Sequence, residues 1–381
     1  MVDTAETSVN NKTVRRDIIS YAFKTHQDFY PSLTKSTDMS AKQSFYINDD
    51  MDTLAIVVNF GEDDGFVIFS DDSAQLPLAV ADAGNFESYL EMPGMELLIN
   101  NTLADYYSTS SLDPTVPSYM ETITLSRSDT LVHPMVETRW HQREPFNLFA
   151  TNSTTKLAGC TPIAIAQVMS YYKYPSTLDL TYPNATASYT SLDWDSMISH
   201  TGSHGTSCDI CLQCAHLARQ IGHICNATYN PTSTGAWPEE EYLNELGYST
   251  NVYYDYSFNN IINSLKTSKP CILSAFSSSS GHTWVIDGYY NKTNIKRNFI
   301  VSGNIRTLYR TTQDIDTYLH FNYGWNNEYA DIYILSNRYR TVTENSTSSE
   351  GVSSNPISIF DAPYDYNDVR RLLTDIQPLT I

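Results

Sequence analysis

Basic residues are scarce in this chain: 23 Lys and Arg stand against 43 Asp and Glu, for a formal charge of −20 at neutral pH. A surface so biased repels phosphate backbones and anionic lipid, so nucleic acid is excluded as an expected partner. Long apolar runs are missing as well. No stretch approaches the roughly 18 to 20 consecutive apolar residues of a membrane helix, so no membrane span is expected. The opening segment from Met1 to Thr13 has neither a basic stretch nor an apolar one and does not read as a signal peptide. Charged residues of either sign reach only 17%, while Ser, Thr, Asn and Tyr abound. That balance suits a secreted or cell-surface protein whose export signal has been removed. Sequons such as Asn184-Ala-Thr arise by chance in so Asn- and Thr-rich a chain and carry no weight.

What is present points to a globular molecule. Hydrophobic residues make up 41% and aromatics 12%, with 28 Tyr, ample material for buried cores. A length of 381 residues favours two domains over one. Residues 14–30 carry apolar side chains three and four apart and predict an amphipathic helix. Two apolar runs, Leu54 to Phe60 and Phe66 to Ser70, flank Gly61-Glu62-Asp63-Asp64-Gly65 and predict a hairpin. A further strand in PLAVADAGNF and a helix from Met95 to Tyr107 complete a small α+β unit. Between Ser108 and Asp129 the periodicity fades into Ser, Thr and Pro, as in an exposed connection open to cleavage. Beyond it helices are expected near Thr161 to Tyr174 and Cys208 to Cys225, and β structure from about Cys271 to Leu335. The polar stretch 344–356 reads as a surface loop.

Three segments carry candidate chemistry. Gly159 and Cys160 precede a helical apolar pattern that Pro175 ends, and Pro162 suits a first helical turn. A cysteine there sits among unpaired backbone N–H groups and the positive end of the helix dipole, which favour the thiolate. The plain alternative is a small buried cysteine in a Gly-flanked turn. His282 lies where Ser- and Gly-rich sequence enters the strand-like HTWVIDGY, at the rim of a sheet, and an imidazole is the natural proton partner of a thiolate. Most of the nine histidines are ordinary surface residues. Asn322, in YLHFNYGWNN, is placed to accept the hydrogen bond that orients such an imidazole, with an aromatic shielding that bond.

The order Gly159-Cys160 at a helix start, then GHTWVIDG, then Asn322-Tyr323-Gly324-Trp325 resembles the streptopain family of papain-like cysteine peptidases. VHPMVETRWHQREPFN, residues 132–147, is similar to that family's mature N-terminal region. NFGEDDGFVIFSDD and PLAVADAGNF are similar to its propeptide, and 218–236 and the final YDYNDVRRLLTDIQP also match, so the likeness spans almost the whole chain. It implies a two-lobed papain-like catalytic domain of α+β class, a helical lobe beside an antiparallel β lobe, over residues 129–381. An inhibitory α+β propeptide and activation linker would occupy 1–128. It implies a zymogen that acts as a cysteine endopeptidase on protein or peptide substrates, inhibited in cis, with no cofactor. A monomer is expected. Cys160 is the implied nucleophile, His282 its base, Asn322 the orienting residue, and Gln142 an oxyanion donor beside the Cys160 backbone N–H. Where the family often has Asn-Trp-Gly-Trp this chain has Tyr323, so Tyr323 and Trp325 share the candidate role of shield. A catalytically silent binding protein and a Cys-His acyltransferase are the rival functions; the former would lack one of Cys160, His282 and Gln142.

Six cysteines less one nucleophile leave five, so at least one more thiol is unpaired. Cys208, Cys211, Cys214 and Cys225 invite a four-thiolate zinc reading. Cys211, Cys214, Ala218, Ile221 and Cys225, however, share one face of a predicted helix, and a straight helix cannot wrap four ligands around one ion. They are expected to be small core residues, with no metal bound.

Overall fold

The computed structural model describes residues 11–32, 40–47, 54–70, 76–92, 94–110, 120–150, 157–200, 205–230, 234–276, 281–302, 305–325, 331–344 and 371–379. Near-continuous apolar runs in the first third form strands buried on both faces. Helix α1 (Asn11–Phe29) is followed by β1 (Ala41–Ile47), the hairpin strands β2 (Leu54–Phe60) and β3 (Phe66–Ser70), and β4 (Pro77–Ala81). Every residue of β3 and β4 is buried. The hairpin turn needs its glycines: Gly65 has φ +90°, and a Cβ there would meet the Ala81 carbonyl oxygen at 2.3 Å. Short α2 (Phe86–Leu90), capped by Asn85 accepting from the Ser88 N–H at 2.9 Å, leads to α3 (Met95–Ser110).

Strand β5 (Met120–Val132) runs through the stretch expected to be an aperiodic linker. Its Thr-Ile-Thr-Leu-Ser sequence does alternate, and a long partner strand supplies its backbone hydrogen bonds. The boundary drawn between residues 128 and 129 therefore falls inside a strand. The helical region follows: α4 (Cys160–Tyr172), the small hairpin of β6 (Thr177–Asp179) and β7 (Tyr189–Ser191), α5 (Trp194–Ser199) and α6 (Asp209–Ile224). Next come β8 (Thr228–Tyr229), β9 (Thr234–Gly235), α7 (Glu240–Glu245), β10 (Tyr248–Tyr253) and α8 (Phe258–Lys266). Strands β11 (Cys271–Phe276), β12 (Gly281–Ser302), β13 (Ile305–Asn322), β14 (Asp331–Glu344) and β15 (Arg371–Pro378) complete the chain. The predicted surface loop at 344–356 lies, beyond Glu344, outside the described residues.

One antiparallel sheet of 11 strands joins both parts in the order β1-β2-β3-β4-β14-β13-β12-β11-β15-β10, with β5 on β12. The join is β4 on β14, Ala79 to Ala81 opposite Ile332 to Ile334. Side-chain alternation divides the sheet between two cores. Trp284, Ile286, Leu273 and Leu372 face a core shared with α1, α3 and α8. Val285, Ile272 and Leu373 face the core around α4 and α6. Ten consecutive residues of α4, Thr161 to Ser170, are buried, and each large aliphatic among them contributes roughly 1.5–3 kcal/mol of burial. A mixed architecture with a large antiparallel sheet is compatible with a papain-like peptidase.

Candidate active site

Gly159, at φ +105°, turns the chain into α4 and makes Cys160 its first residue. A side chain at 159 would collide with Thr234 Cγ2 at 2.9 Å, so the tight entry requires glycine. Cys160 is half-buried, unlike Cys211, Cys214, Cys225 and Cys271, which are buried. Burial pushes the Cys160 thiol up, but the charge and hydrogen bond of His282, with hydrogen bonds from the backbone and side chain of Thr283, outweigh it and hold the thiol below its ordinary value. Burial drives the thiols of Cys214, Cys225 and Cys271 the other way, to about 12. The Cys160 thiol is therefore activated by its imidazole, while those three are inert.

His282 enters on β12 opposite Ala275 of β11 and is 1% exposed. Its Nε2 lies 2.6 Å from the Tyr323 carbonyl oxygen. An N–H at Nε2 donates to that carbonyl, which leaves Nδ1 for the sulfur of Cys160. The Tyr323 ring stacks on the imidazole, centroids 4.2 Å apart, and Trp325 meets it edge-on at 5.9 Å. Both aromatics of the Asn-Tyr-Gly-Trp motif thus flank the ring, Tyr323 over its face.

Asn322 does not make the expected bond to His282. Its amide donates to the Thr138 carbonyl at 2.7 Å, and its Oδ1 is buried without a hydrogen-bond partner. The pleat explains this. Leu319, Phe321 and Tyr323 face the same core as Trp284, so Asn322 projects from the other face of the sheet, away from the side on which Tyr323 stacks on His282. The carbonyl of the following residue takes its place, brought round by Gly324 at φ +64°. A Cβ at Gly324 would stand 3.3 Å from Ile163 Cγ2 of α4, so the turn and the catalytic helix touch closely.

Gln142 is 5% exposed, and its backbone carbonyl accepts the Ala158 N–H at 2.8 Å, two residues before Cys160. Trp140 donates its N–H to Gln167 Oε1 on α4 at 3.1 Å. The Trp140-x-Gln142 segment is thereby stitched to the chain just before the Cys160 turn and to the middle of α4. Sequence reasoning missed Thr161 and Thr283. Their hydroxyls lie 2.9 Å apart; Thr161 also donates to the Ala236 carbonyl at 2.9 Å, and Thr283 meets the Ser274 hydroxyl at 2.5 Å. Each is the chain neighbour of a catalytic candidate, so this pair locks the first turn of α4 to β12. Hydroxyls following Cys and His were the available signal, but such residues are too common to single out.

A thiol at a helix start, lowered in pKa by an imidazole that a carbonyl and two aromatics hold in place, is the arrangement of a cysteine-type peptidase, a hydrolase. The model of the peptidase C10 family matches residues 140–333, from Trp140 to Tyr333, and the chain belongs to that family, the streptopain family of cysteine peptidases. It matches none of the curated proteins compared with it.

Proposed function

We propose that this chain is the zymogen of a secreted cysteine endopeptidase, with a two-lobed catalytic part after the β5 region and an N-terminal inhibitory unit. Cys160 attacks the peptide carbonyl as a thiolate, and the His282 imidazolium protonates the leaving amine. Water activated by His282 then releases the acyl-enzyme. The Gln142 amide and the Cys160 backbone N–H stabilise the oxyanion, Tyr323 and Trp325 shield the imidazole, and Asn322 ties the end of β13 to Thr138. The observation that carries this reading is the opposition of thiol environments, Cys160 lowered by His282 while Cys214, Cys225 and Cys271 are raised by burial.

The latent form is supported by the seam between the two parts. Beyond the shared core and the β4–β14 pairing, Arg139 bridges Asp82 of the N-terminal unit and Asp331 at the start of β14, whose register partner is Asn322. The N-terminal unit so grips the segments just before Trp140 and beside the Tyr323 turn. Incubating the chain with a trace of processed enzyme should release a stable fragment lacking the N-terminal unit and raise peptidase activity. A processed form no more active than the intact chain defeats the zymogen reading. Product analysis with an added amine separates hydrolysis from acyl transfer.

A further inference from the structure

Cys211, Cys214 and Cys225, expected to be core residues on one helix face, are buried. Cys208 is not part of that face and is only half-buried. That residue is the N-cap of α6, outside the helix, with extended backbone at φ −107° and ψ 116°. Its sulfur turns back over the first turn and accepts the Cys211 N–H at 3.2 Å. A third soft donor, absent from the cysteine pattern, arrives from α5. His200 is the C-cap of that helix, and its Nε2 lies 3.2 Å from Cys211 Sγ and 3.9 Å from Cys208 Sγ. The three donor atoms all lie within 4.8 Å of one another.

These separations match a known geometry. Zinc bound at about 2.3 Å to sulfur and about 2.0–2.1 Å to nitrogen in a tetrahedron puts S and N ligands roughly 3.5 Å apart, midway between the two observed N···S distances. We propose that His200, Cys208 and Cys211 form a zinc site joining the end of α5 to the start of α6, with the fourth position open to water. The objection that one helix cannot surround an ion no longer applies, because only Cys211 lies within α6. The cap and a second helix supply the other two donors. Two thiolates and an imidazole select a soft divalent ion such as Zn²⁺ over Mg²⁺ or Ca²⁺. Binding releases the two thiol protons and leaves a complex with no net charge from the ion and its sulfurs. Cys208 caps the N-terminal end of α6, where the helix dipole favours a thiolate.

The site sits at a structural joint. His200 also lines a cavity of about 250 Å³ whose walls include Trp140, His141 and Phe146, residues on either side of Gln142. An ion there fixes one wall of that cavity to α6.

Because the Cys160–His282 pair can itself hold a soft ion, the test uses the full chain carrying Cys160→Ala, purified under a phosphine reductant. Co²⁺ titration should give one ion per chain, with intense visible bands of tetrahedral cobalt and near-ultraviolet thiolate charge transfer that Zn²⁺ abolishes. His200→Ala, Cys208→Ser and Cys211→Ser should each weaken binding by at least about tenfold, while Cys225→Ser leaves it unchanged. In the parent chain, without further substitution, Zn²⁺ should protect Cys208 and Cys211 from iodoacetamide and raise the thermal midpoint, with both effects reversed by a chelator. A spectrum lacking thiolate charge transfer overturns the proposal. So does a band that survives Cys208→Ser, or a Cys208–Cys211 disulfide in the reduced protein.

Discussion

Two buried histidines occupy neighbouring strands of one sheet and have opposite surroundings. His282 on β12 meets a carbonyl, a thiol and two aromatic rings. His320 on β13 meets a carboxylate, with its Nδ1 2.6 Å from Asp287 Oδ1. Burial pushes the His320 imidazole down, but the charge and hydrogen bond of Asp287, with Asp331 and Asp82 beyond, outweigh it and hold it above its ordinary value. A fixed imidazolium is a structural cation. An imidazole whose partners are a neutral carbonyl and a titratable thiol is free to pass a proton, which acid–base catalysis requires. The lesson is that burial does not decide a histidine's role; the charge of its second partner does.

The comparison breaks most completely at the thiol. Cys160→Ala should lower peptidase activity of the processed enzyme by at least about 10⁴-fold while the thermal midpoint stays close to the parent's; proteolysis that persists would overturn the assignment. At the other histidine, Asp287→Asn should leave the chemistry in place but destabilise the fold by about 3 kcal/mol. It strands the His320 charge and weakens the acceptor of the Val136 N–H, now 2.8 Å from Asp287 Oδ2. Denaturant unfolding checks it, and a change under 1 kcal/mol would mean that His320 is not charged. Gly324→Ala forces a side chain into φ +64° and toward Ile163, costing about 1–2 kcal/mol. Because it moves the Tyr323 carbonyl, kcat should fall more than KM rises.

The smallest effect is a pH dependence at the seam. Burial first, then the charges of Asp82 and Asp287, raise Asp331 from 3.8 to about 7 against the opposing pull of His320 and Arg139. Between those values the folded state holds a proton that the unfolded chain has lost, so stability falls as pH rises through this window. His320 acts in the same direction: its contribution is complete below the ordinary histidine value near 6.5 and is lost as pH passes its raised folded value. Tyr30 and Tyr333 adjoin this cluster, and burial holds both phenols above their ordinary value, so they have no charge to exchange in that range. Thermal unfolding from pH 5 to 8 should show a falling midpoint. Asp331→Asn should remove up to about 1.4 kcal/mol per pH unit of the slope, and an unchanged slope would place the titration elsewhere.

Much of this was legible in residue order. The hairpin strands Leu54–Phe60 and Phe66–Ser70 and the start of α4 at Cys160 emerge where pattern and turn chemistry put them. These signals are local, set by side-chain period and by glycine's access to positive φ. α4 stops at Tyr172, two residues short of expectation, because Lys173 takes a left-handed cap at φ +52° before Pro175. Strand β5 was hidden because its pairing partner lies more than 150 residues away. The surroundings of Cys208 were not legible because it is a helix cap, outside the 3.6-residue period, and the imidazole beside it comes from another helix.

The sequence by itself determined the chemistry on offer: a cysteine at a helix N-terminus, a histidine entering a strand, a glycine that lets the chain turn beside them, and the order of motifs that marks the family. Tertiary structure alone decided which partners those groups meet. The Tyr323 carbonyl rather than the Asn322 side chain orients His282, Thr161 and Thr283 lock helix to sheet, and His200 joins Cys208 and Cys211. The reason is that a hydrogen bond or ligand contact is set by atomic positions a few ångströms apart. Sequence spacing specifies direction along one element, whereas the meeting of two elements depends on how their shared cores pack.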